Sequence, residues 1–213
     1  MTHAAPWIDI SLPIDGASIA WTGIAPPRLT HEAAIADGAS VNVGRLSACL
    51  HTATHADAPC HIRTGALTIE AMPIDAYIGP ARLVRHAGDG AVTRASLAAG
   101  GVGADGPARL LIASEQPFDG RRFPDRVPSI DPDAARWLVA IGVRLVGVDV
   151  PSIDPLRSKA LAAHHALLGG GVVVLENLLL LGLPEGEYDL VALPLRIVGG
   201  DASPVRAVVR RRA

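Results

Sequence analysis

Between residues 51 and 61 the chain reads HTATHADAPCH, gathering three histidines and an aspartate in a sequence otherwise rich in Ala, Leu and Val. Alternate side chains of an extended backbone share a face. His51, His55 and Asp57 all fall on odd positions, so a strand here aims all three the same way, with the small Ala53 between them leaving room for something to be held. Two imidazole nitrogens and a carboxylate oxygen suit zinc or a similar divalent ion. Pro59 cannot donate a ladder hydrogen bond and ends the strand, so His61, beyond that bend, can approach the same point from another direction. Cys60 has the opposite parity and reads as a small buried hydrophobe. Taken singly, each histidine reads more readily as a surface residue at a polar strand end; the shared parity is what points to metal.

A catalytic zinc takes three protein ligands plus water, and a paired site needs more. Two further groups stand out. In SKALAAHHALLGGG, His164 shares a helical face with Ala160, Leu161, Leu167 and Leu168, whereas His165 is rotated about 100° away, so one of the two faces the core. Glu176 lies between GGGVVVL and NLLLL with no basic neighbour in sequence. Buried alone, its carboxylate would be costly or protonated; a divalent ion removes that cost, and an edge strand facing water is the alternative. Asp57 and Glu176 each have two oxygens with which to bridge a pair of ions.

The elements needed to position these groups are legible in outline. WIDISLPI, the long VNVGRLSACLHTATH, ARLVRH (81–86), ARLLIAS (108–114) and RLVGVDV (144–150) read as strands. IDPDAARWLVAIG reads as a helix capped by Asp131, with Pro132 in its first turn and Gly142 at its stop. Ser158 is the expected cap of the histidine-bearing helix and Gly169 its terminator, and YDLVALPLRIVGGDASPVRAVVRR reads as two strands joined by a Gly-Gly-Asp turn. Strands mixed with about three helices make an α/β domain. GVGADG (101–106) fits G-x-G-x-x-G, but it lacks the strand before and helix after that a dinucleotide loop requires, so it is a turn.

The 213 residues, 49% hydrophobic and 19% charged, are enough for one domain with a sizeable core. A net charge of −2 without a basic stripe gives no reason to expect nucleic acid. Two cysteines make no disulfide framework, MTHAAPWIDI lacks the regions of a signal peptide, and VVVLENLLLLGL is too short and too polar at its centre to span a bilayer. The expectation is a cytoplasmic protein without a membrane partner.

HTATHADAPCH resembles the H-x-G-T-H-x-D-x-P-x-H signature of the cyclase-type metal-dependent hydrolases, with Ala53 where the signature has glycine. GVDVPSIDPLRSKALAAHHALL, VLEN and LPEGEYDLVALPLRIVGGDASPVRAVVRR are similar to the arylformamidase branch of that family; residues 85 to 130 carry little of the likeness. The resemblance implies one domain over residues 1–213 with the swivelling β/β/α fold, mixed sheets and a few helices, usually assembled as a homodimer or larger. It implies two zinc ions per subunit, the first held by His51, His55 and Asp57, the second by Asp57, His164 and Glu176, with both carboxylates shared; some relatives use manganese. His61 takes the general acid/base position, and Trp21 in IAWTGIAPP matches a tryptophan lining the substrate pocket. The implied reaction is hydrolysis of N-formyl-L-kynurenine, or a similar amide, to L-kynurenine and formate by metal-activated hydroxide. The chain departs from the family where WTGIAP lacks an acidic residue, where Ile62 replaces an aromatic and where ALLGGG replaces two arginines, all positions that shape the pocket. A hydrolase of cyclic amides such as isatin, and a non-catalytic metal-binding module, stay open. A purely structural zinc is disfavoured by the absence of cysteine among the ligands.

Overall fold

The computed structural model describes residues 5–212. Its strands are β1 (Ile8–Asp9), β2 (Arg28–Ala33), β3 (Val43–Ser47), β4 (His55–Asp57), β5 (Ile78–His86), β6 (Arg109–Ser114), β7 (Leu145–Val148), β8 (Val173–Glu176), β9 (Gly186–Val191), β10 (Ala202–Pro204) and β11 (Val208–Arg211). Among the described residues the α-helices are α1 (Arg94–Ala99), α2 (Pro132–Ala140) and α3 (Ala162–Gly169).

Nine strands form one mixed sheet in the order β1-β11-β9-β5-β6-β7-β8-β4-β10. Its centre, β5-β6-β7-β8, is parallel, and the outer pairs are antiparallel. The parallel strands are covered on both faces, which explains why LLIAS and VVVLE read as unbroken apolar runs. One face packs against the helices through Val84, Ile112, Leu138, Val146, Leu167 and Val174. The other face curls on itself, so that Ala56 near one edge and Val209 near the other share a core with Leu111, Leu175 and Tyr188. The close packing leaves no room at Gly147 on β7: a Cβ there would lie 2.6 Å from Leu178 Cδ1 and 2.8 Å from Leu111 Cδ2.

β5, β6, β7 and α2 form where the sequence places them, and Asp131 caps α2 by accepting from the amides of Asp133 and Ala134. GVGADG is a turn leading into β6. Three expectations change. VNVGRLSACLHTATH is not one strand: β3 pairs with β2 in a separate two-stranded sheet, turns follow, and only His55–Asp57 joins the main sheet. The chain breaks at Ala53, whose φ of 54° is left-handed. The carboxylate of Asp154, not Ser158, caps α3, accepting from the amides of Ala163 and His164, while Ser158 Oγ accepts from Leu161 in the turn before it. The C-terminal segment makes three strands instead of two. After the Gly-Gly-Asp turn β10 adds to the edge at β4, and the chain then crosses to pair β11 with β9 and β1.

Candidate metal centre

β4 and β8 are antiparallel neighbours with His55 opposite Glu176, and Asp57 lies two residues on along the same face. The α3 cap turns His164, not His165, toward the same point: His164 is buried and His165 exposed. His51 arrives from the turn before β4 and not by strand parity, because Ala53 interrupts the extended backbone. The left-handed φ at Ala53 is the conformation glycine adopts most readily. The turn is held from β8 by Asn177, itself left-handed at φ 61°, whose Nδ2 donates to Ala53 O at 2.9 Å.

Every side chain expected at the two half-sites converges. His51 Nδ1 is 3.0 Å and His55 Nε2 3.4 Å from Asp57 Oδ1. His164 Nε2 is 3.5 Å from Asp57 Oδ2 and 3.2 Å from Glu176 Oε1, and His55 Nε2 is 3.5 Å from Glu176 Oε2. His51–His55–Asp57 and Asp57–His164–Glu176 therefore form two ligand groups that share Asp57. Donors about 2.1 Å from a tetrahedral ion stand about 3.4 Å apart, close to the 3.0–3.5 Å that separate these pairs. The donor set fits on a second count. His55 Nε2 and both Asp57 oxygens are buried without hydrogen-bond partners, and orphaned buried atoms of this kind call for an explanation such as an ion. The other ring nitrogens are occupied: His55 Nδ1 lies 2.9 Å from Ala53 O, and His164 Nδ1 2.7 Å from Asp154 Oδ2. Both rings thus turn Nε2 inward, as partners behind metal-ligating histidines do.

Without cations other than protons, the carboxylates hold protons on the imidazoles. Burial opposes charge on His55 and His164, but Asp57 and Glu176 outweigh it at His55, raising it to about 10. Asp154, Asp57 and Glu176 together raise His164 to about 12. Burial likewise opposes ionisation of Asp57, yet His164, His51 and His55 hold it well below the usual carboxylate range. His61 differs: burial lowers it, more than the nearby carboxylates raise it. Its ring centroid lies 4.3 Å from that of His51 and 6.1 Å from that of His164. It stands beside both half-sites, its side chain 31% exposed.

Trp21 packs on Phe123 at 4.8 Å between ring centroids, and Phe123 on Phe118 at 5.5 Å. These rings line a narrow 20 Å³ cleft that reaches His51, Ala53 and Asn177. Phe118 and Phe123 lie in the stretch least like the family and carry no spacing signal. Asp154 and Asp201 also escape sequence reasoning, since each sits in a Pro- or Gly-containing turn that reads as a connection. Asp201 Oδ2 lies 3.1 Å from His51 Nε2 and 3.6 Å from His61 Nδ1. Cys60 stays out of the cluster, with Sγ 3.5 Å from Gly200 O. Asp149 and Ser152 have structural bonds: Asp149 accepts from the Ser114 amide, and Ser152 Oγ from Asp154 N.

The family model described as "Putative cyclase" matches residues 8–155. A kynurenine formamidase from Salinibacter ruber (strain DSM 13855 / M31) is 43% identical over 204 residues, covering 95% of this chain and 96% of its own. A solved structure of a potential metal-dependent hydrolase with cyclase activity superposes with a TM-score of 0.83 at 29% identity, covering 99% of this chain and 100% of that one. An isatin hydrolase bound to the product analogue thioisatinate shares the fold, with a TM-score of 0.82 at 18% identity over 99% of this chain and 94% of its own.

Proposed function

The chain belongs to the cyclase family, and from that membership we propose that it hydrolyses N-formylkynurenine to kynurenine and formate. The observation that carries the reading is the pair of ligand groups sharing Asp57, one of whose members, His51, is reached by an aromatic cleft. The similarity over nearly the whole chain to a kynurenine formamidase supports the substrate, and Trp21 with Phe123 and Phe118 offers ring faces for an aromatic amide.

His51, His55 and Asp57 would hold one ion, and Asp57, His164 and Glu176 the other. All-His and carboxylate donors suit zinc, two per subunit, and also accept manganese. Such ions supply Lewis-acid polarisation of a carbonyl and a lowered pKa for water. The remaining work falls to the chain. Burial lowers the pKa of His61, favouring the neutral ring that can accept the proton of the attacking water and return it to the leaving aromatic amine. Trp21, at the mouth of the cleft, would present a ring face to the aromatic part of the substrate.

Formate release from N-formylkynurenine is measured with metal-stripped protein before and after zinc is added. Zinc-restored turnover is expected. Turnover on isatin instead would move the assignment to cyclic amides, and bound zinc with no turnover on either would leave a metal-binding module.

The same proposal includes a single domain over residues 1–213, a cytoplasmic setting and a homodimer or larger assembly. Among the described residues no helix is long and apolar enough to cross a membrane. Leu29, Val43 and Leu46 stand exposed on the two-stranded β2–β3 sheet, an apolar surface suited to a second copy. Mass in solution by light scattering, with Leu46→Asp as the comparison, tests the assembly.

A further inference from the structure

We propose that Asp201 is a positioning residue serving both halves of the chemistry: it fixes the ring of His51 toward the cluster and stabilises the proton-transferring His61 beside it when that ring takes up charge. The proposal rests on the metal-hydrolase reading above, in which His51 is a ligand and His61 moves the proton.

Its basis is one oxygen with two imidazole neighbours. Asp201 Oδ2 lies 3.1 Å from His51 Nε2, and the other nitrogen of that ring, Nδ1, lies 3.0 Å from Asp57 Oδ1. An acceptor at Nε2 favours the tautomer with its proton there, leaving the Nδ1 lone pair directed at the cluster. His51 is the inverse of His55 and His164, which turn Nε2 inward and place Nδ1 on Ala53 O and Asp154. Each of the three rings therefore has an acceptor behind it, and Asp201 is the one for His51. The same Oδ2 lies 3.6 Å from His61 Nδ1, too long for a hydrogen bond but close enough to stabilise the imidazolium that His61 becomes when it takes up the proton. Lying on the Nε2 side of His51, Asp201 acts through the imidazole and not as another carboxylate of the buried cluster.

The placement of Asp201 is built into the fold. Its carbonyl accepts from Ala58 N at 2.9 Å, Gly200 O accepts from Ile69 N at 2.9 Å, and Ala202, the next residue, pairs with Asp57 across β10 and β4. The turn is thus stitched to the signature strand, so the Asp201 side chain stands at the mouth of the site, 48% exposed, between two histidines ten residues apart in sequence.

The test uses the full-length protein with Asp201→Ala, and Asp201→Ser as a second variant in case the alanine disturbs the turn. Metal-stripped protein is titrated with zinc against a chelating dye, and kcat and KM are then measured at saturating zinc on N-formylkynurenine, or on isatin if that is the substrate turned over. Expected are a loss of zinc affinity of about 10- to 100-fold in at least one site and a fall in zinc-saturated kcat of about tenfold or more, with KM changed less than about threefold. If either zinc affinity or saturated kcat stays within about twofold of the wild type, the shared role is overturned. A wild-type protein that takes up no zinc defeats the metal reading, and the proposal with it, before any variant is compared.

Discussion

At the scale of single residues, the site is a competition between protons and metal for the same lone pairs. His55, raised to about 10, and His164, raised to about 12, carry protons at neutral pH while carboxylates alone face them, Asp57 and Glu176 at both and Asp154 behind His164. An ion can take their place only if both imidazoles deprotonate. Zinc affinity is therefore expected to rise with pH between about 6 and 8, with close to two protons released per protein from these residues. Calorimetric titrations in buffers of different ionisation enthalpy count those protons, and a proton-free uptake would contradict the geometry. His61 stands apart, since burial lowers its pKa and its ring flanks the half-sites without joining either carboxylate pair. His61→Ala should keep its zinc and lose about 10² to 10⁴ in kcat, the usual worth of a positioned acid or base. Full turnover in that variant would remove His61 from the mechanism. His51, His55 and Asp57 were legible from residue type and spacing, whereas His164 and Glu176 stood out only as candidates until the family resemblance joined them to a second half-site. Asp154 and Asp201, which stand behind His164 and His51, were not, because an acceptor behind a ring leaves no periodic trace in sequence.

Among the elements, the decisive one is the turn that carries His51. Extended backbone would have brought His51 to the common face by parity, but the left-handed residue Ala53 intervenes and the histidine reaches the cluster by a different path. Asn177 stabilises that path. Its side chain bonds Ala53 O, its carbonyl accepts from Thr54 Oγ1, and it occupies a left-handed φ that Asn tolerates and β-branched residues do not. Asn177→Gly should lose about 1 kcal/mol, the side-chain bond alone. Asn177→Val should lose about 2 kcal/mol or more by adding backbone strain, and both should bind zinc more weakly. Urea unfolding checks the order; equal losses would mean that strain at this turn is unimportant. Helix α2 was legible because its Asp-Pro start is local. The start of α3 was not, because its cap is a carboxylate from the preceding loop, eight residues before the helix begins.

For the molecule as a whole, one sheet places β4 and β8 side by side so that residues more than a hundred positions apart share a centre. The ends of its parallel strands also carry Asp149, which is 1% exposed and, pushed up by burial despite the Ser114 amide, titrates at about 6. A carboxyl raised in the folded state contributes its stability below its unfolded value near 3.8, and loses it as pH rises through about 6. Asp149→Asn, which keeps an acceptor for Ser114, should therefore gain on the wild type between pH 5 and 7.5, by about 1.4 kcal/mol. Urea unfolding at the two pH values measures it, and a pH-independent difference would refute the burial argument. By itself the sequence determined the ligand types, the α/β class, three of the four central strands and the helix at 132–140, because each is written in local spacing, apolar runs or caps. Only the tertiary structure decided which neighbour stands behind each histidine, that the signature strand is three residues long, and that the C-terminal segment serves both edges of the sheet. Those are long-range pairings, set by which surfaces can be buried together, and no local pattern encodes them.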